Sequence, residues 1–194
     1  MTLFELGVIV ICLAFLTLLK KLDSHILRKF GITFIAILLF EYFTQPLWLN
    51  VNLERWAYLY LDVSWIITLG WTTIILVSMT IIDIYFPKDS ELERFLFYFI
   101  PITIIGIIAE ASVLYLGIRK YPQAVLETLS GKTLLGIVPI EALYYIPVFM
   151  ALVISFARYW EISFGERVEK IAEAVGFVDK GLATSKKFKK KYKK

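Results

Sequence analysis

Three glutamates, Glu41, Glu110 and Glu141, stand in apolar surroundings where a charged side chain is costly. Each lies in a run long enough to cross a bilayer, where an ionised carboxylate at mid-depth costs roughly 2.5–3.5 kcal/mol or more and marks function by default. Carboxyl groups confined together cannot all ionise, so such a set offers a protonated acid beside an ionised base. That pairing is what general acid–base catalysis requires. Pro139, two residues before Glu141, interrupts helical bonding, and Pro139-Ile140-Glu141 reads as the wall of a polar cavity. Trp65, Trp71, Tyr115, Tyr144 and Tyr145 are the candidate lining, since aromatic faces stabilise a carbocation. A lipid or isoprenoid substrate suits a chamber that is apolar, aromatic and acidic at two or three points. Each Glu also has a plainer reading as a neutral side chain hydrogen-bonded between helices, worth roughly 1 kcal/mol.

The elements that would position these acids are membrane helices. With 59% hydrophobic residues and a mean hydropathy of +0.72, the chain lies outside the soluble range. Apolar blocks at about residues 3–19, 31–49, 63–86, 95–116 and 134–157 predict an all-α integral membrane bundle of five helices, or six. Residues 1–160 form this polytopic domain. Capping boxes at Thr2/Glu5 and Ser90/Glu93 start the first and fourth helices. The first block lacks a basic leader and a small-residue cleavage site, so it reads as a membrane helix rather than a signal peptide. Lys20, Lys21, Arg28 and Lys29 place the first connection in the cytoplasm and the N-terminus outside. Residues 50–62, with Trp56, Tyr58 and Tyr60, then form an outer interfacial or re-entrant segment. On this topology all three glutamates sit about seven or eight residues below the outer ends of their helices, roughly 10–12 Å deep. A shared layer implies a shared cavity. Glu41 and Glu110 lie 69 residues apart, in the rising helices of two successive hairpins, which suggests an internal duplication.

Beyond Arg158 the pattern turns amphipathic. Phe164, Val168, Ile171, Val175 and Val178 predict a cytoplasmic surface helix over residues 161–194, ending in a tail with Lys186, Lys187, Lys189, Lys190, Lys191, Lys193 and Lys194. Such a tail is drawn to anionic headgroups, and the pI of about 9.0 reflects a membrane surface rather than nucleic acid. One cysteine, Cys12, and one histidine, His25, give no basis for a disulfide framework, a haem, a zinc or a copper site; no metal and no cofactor are expected.

Glu110, Gly117, Tyr121, Gly131, Gly136 and Pro139-Ile140-Glu141, followed by Tyr144-Tyr145 and a long apolar run, resemble the small integral-membrane carotenoid cyclases of the heterodimeric lycopene cyclase type and the related carotenoid hydratases. The resemblance covers roughly residues 105–160. Ala142 stands where the family's Pro-Leu/Ile-Glu-Glu motif has its second Glu, and the Trp-Asp pair expected upstream is absent, with Glu110 the nearest acid to its place. It implies redox-neutral cyclisation or hydration of a polyene end group, with Glu141 and its neighbours as acid and base and a homo- or heterodimer as the assembly. Two other classes fit the same composition. One is a non-enzymatic membrane subunit docked through its last helices; the other is a proton- or cation-coupled transporter whose Glu layer binds the ion.

Overall fold

The computed structural model describes residues 1–86, 90–134 and 136–174. Helix α1 (Leu3–Leu22) opens on the expected capping box: Thr2 Oγ1 accepts from Glu5 N–H, and Glu5 Oε2 accepts from Thr2 N–H at 2.8 Å. Helix α2 (Ile26–Thr44) follows a short turn, and α3 (Trp65–Tyr85) returns alongside it. Helix α3 is the central element, with α1, α2 and α4 (Glu91–Tyr115) all packed on it. Its buried hydroxyls would be costly if unbonded. Thr68, Thr72, Thr73 and Thr80 each donate to the carbonyl four residues back, at 2.7–3.0 Å. Helix α6 (Ala142–Ala174) closes the core, where Ile75 and Met79 meet Ile102, Ile146, Met150, Val153 and Ile154. In lipid such a core is held by close packing rather than by water exclusion. Gly106 makes that packing possible: a Cβ there would sit 3.2 Å from Ile146 Cγ2 and 3.5 Å from the Trp71 ring.

Among the described residues four helices, α1, α3, α4 and α6 over Ala142–Gly165, are long and apolar enough to cross a membrane. Helix α2, expected to span over 31–49, instead runs over Ile26–Thr44 and includes Arg28 and Lys29 as well as Glu41. The larger correction concerns residues 134–157. The first part of that apolar run is a two-stranded hairpin, β5 (Thr133–Leu134) with β6 (Val138–Pro139), and the helix begins only at Ala142. Gly136, at φ 72°, takes a turn conformation open to glycine, while Pro139 lacks an N–H and forces extended backbone on Val138. Pro139 therefore ends a strand instead of kinking a span.

The two connections expected on the outer side share one end of the bundle. Residues 45–64 contain a 3-10 turn (Gln45–Leu47), β1 (Leu49–Asn50), a second 3-10 turn (Arg55–Ala57) and the hairpin β2 (Tyr58–Tyr60) with β3 (Val63–Ser64). Residues 116–141 contain β4 (Arg119–Lys120), α5 (Gln123–Leu126) and the β5–β6 hairpin. Strands β1 and β4 pair antiparallel, Asn50 facing Arg119. The N-terminus is at the same end, where Glu54 N–H donates to the buried Glu5 Oε1 at 2.6 Å. At the other end Lys29 reaches Asp23 at 2.9 Å and Asp83 at 3.6 Å, and the Tyr98 hydroxyl donates to Asp83, tying α2, α3 and α4.

Met1–Ala157 is one compact unit and a second begins at Arg158. In the second, Arg158 pairs with Glu161 at 3.0 Å and the Trp160 ring lies 5.4 Å from Phe164. Of the expected amphipathic stripe, the side chains of Val168, Ile171, Val175 and Val178 lie outside the described residues, as does the lysine tail.

Candidate functional site

Glu41 and Glu110 meet, as the shared-layer argument predicts, but the group between them is one that argument left in a loop. Glu41 comes from the last turn of α2, Glu110 from the last turns of α4, and Arg119 from β4. All three are buried, at 3%, 2% and 3% exposure. The guanidinium donates from Nη2 to Glu41 Oε1 at 3.1 Å, from Nη1 to Glu110 Oε2 at 3.0 Å and from Nε to Asn50 Oδ1 at 2.9 Å. Its Cζ lies over the Trp48 ring, 4.8 Å from the centroid. Asn50 is held in turn, donating from Nδ2 to Asp62 O at 2.7 Å. The β1–β4 pairing explains the delivery: antiparallel register sets Asn50 opposite Arg119, nine residues after Glu41 and Glu110 respectively.

Burial alone would disfavour the charged guanidinium, yet the Glu110 and Glu41 carboxylates outweigh it and hold Arg119 above its ordinary pKa. The triad thus contains a permanent cation. Tyr121 Oη donates to Glu110 Oε1 at 2.9 Å, and the hydroxyls of Tyr121 and Tyr145 are hydrogen-bonded to each other. Burial, then the Glu110 charge and the Tyr145 neighbour, push the Tyr121 phenol far above its usual value, so it stays a donor. With the Tyr121 proton committed to Glu110, Tyr145 must donate to Tyr121. Glu41 is less well served, because its Oε2 is buried with no hydrogen-bond partner.

The cluster faces an apolar cavity of ≈ 40 Å³. Ile37, Phe40, Trp71, Ile75, Ile146 and Phe149 are among its walls, with Glu41, Glu110 and Arg119 at its polar end. That volume holds one or a few waters and nothing larger. Of the five aromatic residues expected to line a chamber, Trp71 and Tyr145 do so. Trp65 instead packs at a tilt against Trp56, ring centroids 5.3 Å apart, and donates its Nε1–H to Trp56 O at 2.9 Å. Tyr115 and Tyr144 point outward, 78% and 72% exposed.

Glu141 does not join the pair. It precedes α6, and its Oε1 accepts from Ser130 N–H at 2.7 Å in the 116–141 connection. Hydrogen bonds from the Ser130 hydroxyl and N–H hold its carboxyl below the usual range, the condition of an ionised loop acceptor. A shared depth for Glu141 requires helix from Leu134 onward, and the chain there forms the β5–β6 hairpin instead. Arg119, Asn50, Trp48 and Tyr121 complete the site without any signal in the apolar pattern. Among the described residues, no three His, Cys, Asp or Glu side chains are grouped to hold a metal ion. No family model, curated protein or solved structure matches the chain.

Proposed function

We propose that this protein is a membrane-embedded enzyme acting on an isoprenoid of the carotenoid class, with Glu41 and Glu110 supplying acid–base chemistry that changes no oxidation state. The observation that carries the reading is one carboxylate pair, buried around a single guanidinium at the polar end of a cavity walled by Phe40, Trp71 and Phe149. One carboxyl gives a proton to a terminal C=C bond, a second C=C bond of the chain closes on the resulting cation as it rests against the aromatic faces, and the carboxylate left by the first step takes a proton back from a carbon beside the new cationic centre. The catalyst is restored and no electrons are exchanged. At ≈ 40 Å³ the cavity is too small for an end group, which enters only as its walls part. The reading includes five membrane helices, N-terminus outside, and a C-terminal segment on the cytoplasmic surface.

The test is to express the wild type, Glu41→Gln and Glu110→Gln in a host that accumulates an acyclic carotenoid, and to separate the pigments by chromatography. A new pigment from the wild type, lost in both variants, is the expected outcome. A profile equal to the empty host in all three would exclude that substrate. The second reading is a non-enzymatic subunit, and the observation favouring it is that Arg119 bonds α2, β1 and α4 together as a structural staple would. It predicts unchanged pigments with lowered thermal stability.

A further inference from the structure

We propose that Arg119 is a positioning residue that commits one proton to the pair and places it on Oε2 of Glu41. The inference deepens the acid–base reading, but its evidence is a count of donors. Two carboxylates and one guanidinium are buried together, and full ionisation would leave an excess negative charge where isolated charges are not tolerated. The other groups facing the triad do not supply the missing positive charge: Asn50 is neutral, and Tyr121 and Tyr145 are phenols that lie along the Glu110 side. One proton therefore belongs to the pair.

Its position follows from what each oxygen already receives. Both oxygens of Glu110 accept, from Arg119 Nη1 and from Tyr121 Oη, and Tyr145 backs Tyr121. A proton there would displace a donor. On Glu41 only Oε1 accepts, from Arg119 Nη2, while Oε2 is buried and unpartnered in a cavity-lining residue. Thr68, the hydroxyl beside Glu41, is hydrogen-bonded to Ser64 O at 3.0 Å. Glu41 Oε2 is the oxygen of the four that gains a proton without losing a bond. Arg119 sets this division by neutralising Glu110 and holding Glu41 through its other oxygen.

The readout is the carbonyl stretch of a protonated carboxylic acid, seen by infrared difference spectroscopy of the purified protein in lipid at neutral pH. The wild type minus Glu41→Gln should show one such band. Glu110→Gln should also lack it, because the remaining carboxylate then ionises against Arg119, and Arg119→Gln should roughly double it. Glu41→Asp should move the band and Glu110→Asp should leave it in place. Arg119→Lys should retain it. A wild type without the band, or a band that survives Glu41→Gln, overturns the proposal. So does a band moved by Glu110→Asp and left by Glu41→Asp. If Arg119→Gln does not fold, the four glutamate variants still decide. The pigment assay is independent: pigments unchanged with the expected spectra would sink the carotenoid reading and leave the proton assignment, and the reverse result would do the opposite.

Discussion

The two hairpins of the bundle share one layout and differ in the residue each presents where they face one another. The first runs α2, β1, a 3-10 turn, the β2–β3 hairpin and α3; the second runs α4, β4, α5, the β5–β6 hairpin and α6. Glu41 and Glu110 hold matching places, and nine residues on come Asn50 and Arg119, which pair across the antiparallel β1–β4 contact. An antiparallel pair between equivalent positions is what a local two-fold axis produces, and it is the relation expected of a duplicated unit. The teaching lies in the exception. One copy presents a neutral amide and the other a guanidinium, so the joint acquires one cation for two acids and the symmetry is broken where the chemistry would be.

The largest effect should come from removing that cation. Arg119→Met leaves two buried acids without their cation, so the second must also take up a proton, and breaking a buried ionic group from one side costs about 3–5 kcal/mol. Thermal unfolding in detergent should show a large loss. Adding Glu41→Gln and Glu110→Gln to Arg119→Met should recover much of it, because no buried acid then needs a counter-charge or an added proton. A single variant as stable as the wild type would show that the halves are not joined through Arg119. A sharper test of the two-fold relation is the exchange Asn50→Arg with Arg119→Asn. If the positions are equivalent, the double variant should be more stable than Arg119→Asn alone, by a coupling in the range of about 0.5–3 kcal/mol. Additive losses would deny the equivalence.

Packing gives a middle-sized contrast. Gly106→Ala should be destabilising by about 1–3 kcal/mol, since its Cβ would press on Ile146 Cγ2 at 3.2 Å between α4 and α6. Gly31→Ala in α2, with nothing within 4 Å, should be neutral or slightly stabilising. Equal melting temperatures for the two variants would mean the close crossing is not tight.

Apolar blocks and caps were legible in the sequence because they depend on local pattern: α1, α3 and α4 start and stop near the expected residues. Glu41 and Glu110 were legible because a carboxylate in such a block stands out by cost. Arg119 was not, since a basic residue in a polar connection is ordinary until strand pairing turns it inward. The one trace was its nine-residue spacing from Glu110, matched by Asn50 after Glu41, and that becomes meaningful only once the 69-residue offset is taken as a repeat. The misplacement of Glu141 has a different cause. Hydropathy averaged over Leu134–Ala157 outweighed two local signals, Gly136 and Pro139, each of which disfavours a helix through its own backbone and not through its side chain.

The smallest expected effect separates Glu141 from the buried pair by pH. Its folded pKa is held below the ordinary carboxylate range by the Ser130 hydroxyl and N–H. A carboxylate with a depressed folded pKa contributes stability that is fully present above its unfolded pKa and is lost as pH falls through the folded one. The contribution should therefore be constant at neutral pH and fade only below about pH 4.5. Glu141→Gln removes the charge but keeps an acceptor for Ser130 N–H, so at pH 7 its melting temperature should stay close to the wild type and its pigment profile should be unchanged. The two proteins should converge in acid, where the wild-type carboxyl is protonated. A loss of activity in Glu141→Gln as large as in Glu41→Gln would return Glu141 to the site and place the β5–β6 hairpin at the cavity during turnover.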